Sequence, residues 1–169
     1  MTIRIREDDL TDASVRGLLA LHLAGMHAGS PPGHVFALDL SGLRAPEMTV
    51  WTAWRDGQVA GIAALKRLGA HMAEVKSMRT HPQALRRGVA AALLDHIIGV
   101  AGAEGLTRLS LETGSGEAFE PALALYASRG FTKGEAFSDY VPSAFNQFWH
   151  LELAPPPVRK GSRPITASR

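Results

Sequence analysis

Cysteine is absent from the 169 residues, which excludes disulfides and thiolate metal sites. A long hydrophobic run is also missing. The richest one, residues 89–101, covers 13 positions and carries Asp95 and His96, short of the roughly 20 apolar residues that a membrane-spanning helix needs. At the N-terminus, Ile3 and Ile5 alternate with Arg4 and Arg6, so no signal peptide is expected and a cytoplasmic protein is. Net charge is small, +2, and unevenly placed: Arg159, Lys160, Arg163 and Arg169 fall within 154–169, leaving 14 basic against 16 acidic residues, or −2, for the rest. A nearly neutral body with a short basic end gives no reason to expect nucleic acid or a membrane as partner.

What is present is a globular composition, 46% apolar and 20% charged. At this length roughly 70% of the unfolded surface can be buried, so one domain needs no staples. The predicted domain is 1–153, and the Pro-rich basic segment 154–169 is expected to be a tail.

Ile3 and Ile5 predict a half-buried strand. Asp12 caps a helical pattern through Val15, Leu18, Leu19, His22, Leu23 and Met26, which Ser30-Pro31-Pro32-Gly33 breaks. A second helical stretch is expected through Phe36, Leu40 and Leu43. Runs at 48–54 and 58–65 flank Arg55-Asp56-Gly57, a hairpin signal, and 73–80 makes a third antiparallel strand. Beyond His81-Pro82, Val89, Leu93, Ile97 and Val100 recur at helical spacing, and Gly102 and Gly105 are expected to end that helix. A strand at 106–113, a helix at 118–128 closed by Gly130, and strands at 131–137 and 145–153 complete the pattern. The expectation is a single α/β (α+β) domain: a mixed central sheet with an antiparallel meander, a crossover helix and a parallel pair.

The chemistry concentrates where the third meander strand meets the buried helix. Arg86-Arg87-Gly88 leads into Val89, Ala90 and Ala91, a helix start made of small residues. Such an end offers unpaired N–H groups and a partial positive charge to an anion, and Gly88 allows a diphosphate to approach the main chain. Taken with Pro82 and with Leu125-Tyr126-Ala127-Ser128-Arg129-Gly130-Phe131, this segment resembles the GNAT superfamily of acetyl-CoA-dependent N-acyltransferases. The likeness spans about residues 2–153 in element order. Lys76-Ser77-Met78-Arg79-Thr80 and Leu111-Glu112-Thr113 look like a branch whose acceptors are unassigned. The family's glycine motif reads Q/R-x-x-G-x-G/A, and Leu85 stands where Gln or Arg is usual.

The resemblance implies a fold, an activity and a site. The backbone of Met78, Arg79 and Thr80 would pair with the pantetheine arm of acetyl-CoA, and Arg86, Arg87, Gly88, Val89, Ala90 and Ala91 would hold its pyrophosphate. Tyr126 stands where the family places its general acid. Two carboxylates compete as base, Glu112 on the following strand and Glu74 on the meander strand. His22, Met26, His27 and His34, with Phe137, Ser138, Asp139 and Tyr140, are candidates for the acceptor pocket, Asp139 as a lure for a cationic amine. His22 and His27 lie five apart and face different ways on a helix, so no metal is expected. Trp51 and Trp54 read as packing residues on opposite faces of one strand.

The function expected is direct transfer of acetyl to a primary amine of a small molecule. Alternatives are a protein or peptide N-acetyltransferase and a non-catalytic acyl-CoA-binding regulatory module. Exposed strand ends would allow a homodimer.

Overall fold

Asp12 opens the first helix as the sequence predicts, its carboxylate accepting from the N–H groups of Ser14 and Val15 at 2.8 and 3.3 Å. This computed structural model describes residues 2–34 and 37–154, so Phe36 and the expected tail beyond Ala154 lie outside the described residues. In chain order the elements are β1 (Arg4–Glu7), α1 (Ala13–Gly29), α2 (Leu40–Leu43), β2 (Met48–Arg55), β3 (Gln58–Arg67), β4 (Met72–Thr80), α3 (Val89–Ala103), β5 (Arg108–Thr113), α4 (Glu120–Ser128), β6 (Thr132–Gly134) and β7 (Gln147–Glu152).

Asp56 and Gly57, at φ 51° and 75°, form the two-residue turn between β2 and β3. Left-handed conformation at both centres marks the type I′ turn, whose twist matches the strands it joins. Among the described residues the strands form one sheet ordered β1-β2-β3-β4-β5-β7-β6. Every neighbouring pair is antiparallel except β4 and β5, which α3 connects as a crossover. This is the mixed sheet expected from the sequence.

The two faces carry separate cores. On one, Leu93, Leu94, Ile97 and Ala101 of α3 pack on Ala63, Leu65, Ala73, Val75, Leu109 and Leu111. On the other, Val15, Leu18 and Leu19 of α1 pack on Val50, Val59, Ile62 and Ala64. Trp51 joins the first cluster and Trp54 borders the second, so both tryptophans are packing residues on opposite faces.

Several boundaries differ from expectation. The second helix is a single turn. Gly102 lies within α3, and Gly105 ends it at φ 79°: its N–H bonds to Gly102 O at 3.1 Å and the Leu106 N–H to Ala101 O at 3.0 Å. That pair of bonds is a Schellman closure, and it holds Leu106 back so that β5 starts at Arg108. β6 stops at Gly134 rather than 137, because the next carbonyl, Glu135 O, turns to the His150 ring at 2.7 Å. The final strand likewise covers 147–152 rather than 145–153.

Candidate active site

Strand β4 positions the site through one irregularity. Its parallel pairing with β5 lasts only from Met72 to Glu74, opposite Arg108 to Ser110, and then the strands part. Opposite β3 the register jumps from Lys76↔Ala64 to Arg79↔Ile62, and Ser77 takes a left-handed φ of 56°. This is a β-bulge, which bends its strand and increases the twist. Main-chain groups in an antiparallel ladder alternate between the two sides. Leu68 N–H bonds to Met72 O and His81 N–H to Ala60 O, so residues 72, 74 and 76, then 79 and 81, face β3. Met78 and Thr80 therefore turn their main-chain groups into the gap left by β5. The bulge also reverses the side-chain faces. Met78 joins the α3-side core, whereas Arg79 reaches His22 on α1.

The gap is part of a cleft of about 660 Å³ whose walls include β4 from Glu74 to Thr80, the start of α3, and Tyr126. At its α3 end, Arg86 and Gly88 are both left-handed, at φ 60° and 79°, and Gly88 is the N-cap with no side chain bonding the first turn. Space beside Gly88 is open. The first-turn N–H groups of α3 thus meet no capping side chain, the arrangement that suits a phosphate. Arg86, Gly88, Val89, Ala90 and Ala91 line the cleft, and exposed Arg87 does not. Met78, Arg79 and Thr80 line it as well. Residues that would take the two halves of acetyl-CoA therefore meet in one cavity.

Tyr126 enters from α4, and its spacing to Gly130 and Phe131 has a geometric cause. Gly130 is left-handed at φ 94°; its N–H bonds to Ala127 O and the Phe131 N–H to Tyr126 O, both at 3.1 Å. This second Schellman closure brings the two rings to 5.8 Å between centroids, the apolar contact that accompanies the motif. Tyr126 is only 8% exposed. Burial pushes its phenol up to about 12. The hydroxyl contacts Met78 Sδ at 4.0 Å, a weak bond that a stronger acceptor in the cleft would replace.

The two candidate bases part ways. Glu74 is buried, receives Lys76 Nζ at 3.2 Å and accepts the Tyr140 hydroxyl at 2.5 Å, while Lys76 also donates to Tyr140 Oη at 2.7 Å. Glu112 has no hydrogen-bond partner among the described residues, lines the cleft, and is pushed up to about 7. Burial is the main cause; Lys76 pulls the other way and Glu74 adds to the rise. A carboxyl near 7 suits general-base work at neutral pH.

Of the residues expected at the acceptor, His22 and Met26 line the cleft. His27 is exposed and does not, and His34 lies 5.7 Å from the Phe145 ring. Asp139 is exposed and off the cleft, so the lure expected of it is not there; Tyr140 next to it reaches Glu74. Among the described residues no group of three His, Asp or Glu could hold a metal ion, and no helix is long and apolar enough to cross a membrane. The Lys76–Glu74–Tyr140 network and the Arg79–His22 pair escape a reading of the sequence. Their one signal is the alternation of Glu74 and Lys76 on a single strand face.

Comparison with known proteins agrees with this architecture. The family model described as the acetyltransferase (GNAT) family matches residues 17–131. The uncharacterised N-acetyltransferase YedL of Escherichia coli K12 is 46% identical over 149 residues, covering 88% of this chain and 94% of that protein. A solved structure from Klebsiella pneumoniae, assigned as an acyl-CoA N-acyltransferase, superposes with a TM-score of 0.76 at 25% identity, covering 90% of this chain and 99% of the other. A GNAT acetyltransferase of Elizabethkingia anophelis with acetyl-CoA bound gives 0.66 at 16% identity over 89% and 98% of the two chains, a likeness of fold. With two thirds of its length matched by one family model and 46% identity to a named N-acetyltransferase over 149 residues, the chain belongs to the GNAT family of acetyltransferases.

Proposed function

We propose that this protein transfers the acetyl group of acetyl-CoA directly to a primary amine of a small molecule. One observation carries the reading: parted strands β4 and β5, the uncapped start of α3, Tyr126 and Glu112 all border one cavity. Acetyl-CoA would supply the activated thioester. Met78 and Thr80 offer main-chain groups to its extended arm and an N–H to the thioester oxygen, as an added strand would be bound. Arg86 and the first turn of α3 take the phosphates.

Glu112 receives the proton that leaves the amine. Tyr126 serves the departing sulfur, with a limit set by its burial. A phenol at about 12 holds its proton more tightly than a thiol near 8.5, so outright transfer to a free thiolate runs uphill. Tyr126 therefore acts by donating a hydrogen bond while charge builds on sulfur. No covalent acyl-enzyme is needed. Ser110, which bonds His150 at 2.7 Å, is fully buried and off the cleft, and the His150 ring bonds the Glu135 carbonyl on its other side.

Thiol release from acetyl-CoA across a panel of amines tests the reading. Wild type is expected to turn over at least one amine, and Tyr126→Phe to lower kcat about 10²-fold with acetyl-CoA affinity kept. Acetyl-CoA binding without thiol release from any amine would instead support the non-catalytic module. An unchanged kcat in Tyr126→Phe would remove that residue from the chemistry.

A further inference from the structure

Arg79 borders the cleft as a half-buried cation whose charge no acidic group among the described residues answers. Its Nε donates to His22 Nδ1 at 3.1 Å and its Nη2 to His22 O at 3.4 Å, both neutral acceptors. Among the described residues no carboxylate pairs with it. Burial alone lowers its proton affinity, with no acid acting against that. By contrast, the other cation of this wall, Lys76, is held by Glu74 and Tyr140.

Helix α1 is built around this guanidinium. His22 is pushed down to about 4, by burial first and by Arg79 second, so it stays neutral and keeps Nδ1 free to accept. One turn along, a Cβ on Gly25 would come within 2.6 Å of Arg79 Nη2. A helix that leaves room for a cation and orients it, without neutralising it, leaves the charge to be answered by a ligand.

We propose that the acceptor is an amino acid, an amine that also carries a carboxylate, and that Arg79 takes that carboxylate. The proposal rests on the acetyl-transfer reading. Glu74 lies level with Ser110 and the strands part beyond that pair, so Glu112 stands across the gap from the stretch of β4 that starts at Lys76, and Arg79 comes two ladder positions past Lys76 along β3. That is about 7 Å along the strand. One molecule with its amine toward Glu112 and its carboxylate toward Arg79 thus meets a base at one end and a cation at the other. Gly25 is a positioning residue, because it acts only through Arg79.

The experiment compares free amino acids with their carboxamides as acceptors, by thiol release, in wild type, Gly25→Ala and Arg79→Gln. Acetyl-CoA binding is followed by calorimetry on the same samples. Wild type is expected to favour the acids over the amides by about 10- to 100-fold in kcat/KM, as for a hydrogen-bonded charge. Gly25→Ala should raise KM for the acids about tenfold or more, with kcat kept and the amides within about twofold. Alanine is the better helix former, so a general loss of fold would not produce that split. Arg79→Gln should erase the preference. Equal use of acids and amides by wild type, or an unmoved KM in Gly25→Ala, would overturn the proposal. So would a protein that binds acetyl-CoA and acetylates no free amino acid, with the acetyl-CoA reading intact; failure to bind acetyl-CoA would overturn both.

Discussion

Glu112 and Glu74 show how environment separates two carboxylates on one face of the sheet. Glu74 is held by a cation and a phenol, whereas burial raises Glu112 to about 7. A base accepts a proton only when ionised, so kcat/KM is expected to rise with pH up to about 7 and then level. Glu112→Gln should remove that rise and lower kcat by about 10²-fold or more, read from a pH profile of thiol release. Stability runs the other way. Because the folded-state value lies above the ordinary glutamate value of 4.5, the folded chain holds this proton more tightly. Glu112 contributes stability below about 4.5 that is lost as pH climbs through about 7. Glu112→Gln should therefore raise the thermal midpoint at pH 8 and change it little at pH 4. An equal shift at both values would mean that the residue acts through packing rather than charge.

At the level of elements, the approach of α3 to β3 sets the phosphate seat. Gly61 of β3 lies under the first turn of α3, where an added Cβ would come within 2.7 Å of Val89 Cγ1 and 3.0 Å of Leu93 Cδ1. Val89 is β-branched and has little freedom to turn aside, so the helix start itself must lift. Gly61→Ala is expected to cost about 1–3 kcal/mol of stability by overpacking and to weaken acetyl-CoA binding several-fold. Denaturant titration and calorimetry read the two effects. Lost stability with unchanged affinity would show that the seat does not depend on this contact. The two Schellman closures belong to the same scale: Gly105 ends α3, and Gly130 fixes Phe131 against Tyr126.

For the molecule as a whole, β4 is the shared member, since its Ala73 and Val75 pack under α3 while its Arg79 bonds α1. A ligand that spans β4 and α3 adds a second tie to the one their packed side chains already make. Acetyl-CoA at one hundred times its Kd is expected to stabilise the fold by about 2.7 kcal/mol, or roughly 5–10 °C in Tm for a domain of this size. Differential scanning calorimetry measures the shift, and a Tm independent of acetyl-CoA would contradict cofactor binding to the folded chain.

Element order, the Asp12 cap, the Asp56-Gly57 turn, the bare start of α3 and the spacing of Tyr126 to Gly130 were legible in the sequence. Each is a local pattern written within a few residues: a period, a cap or a glycine where the chain turns left-handed. Tertiary structure decided what those patterns could not. Arg79 meets His22 across 57 positions, and Tyr140 meets Lys76 and Glu74 across 64 and 66. The bulge at Ser77 reverses which side chains face the cleft, and no periodicity announces it. Contacts between distant segments depend on how two helices and a bent strand pack together, so the choice between Glu74 and Glu112, the loss of Asp139 and the unanswered charge of Arg79 emerge only in the folded chain.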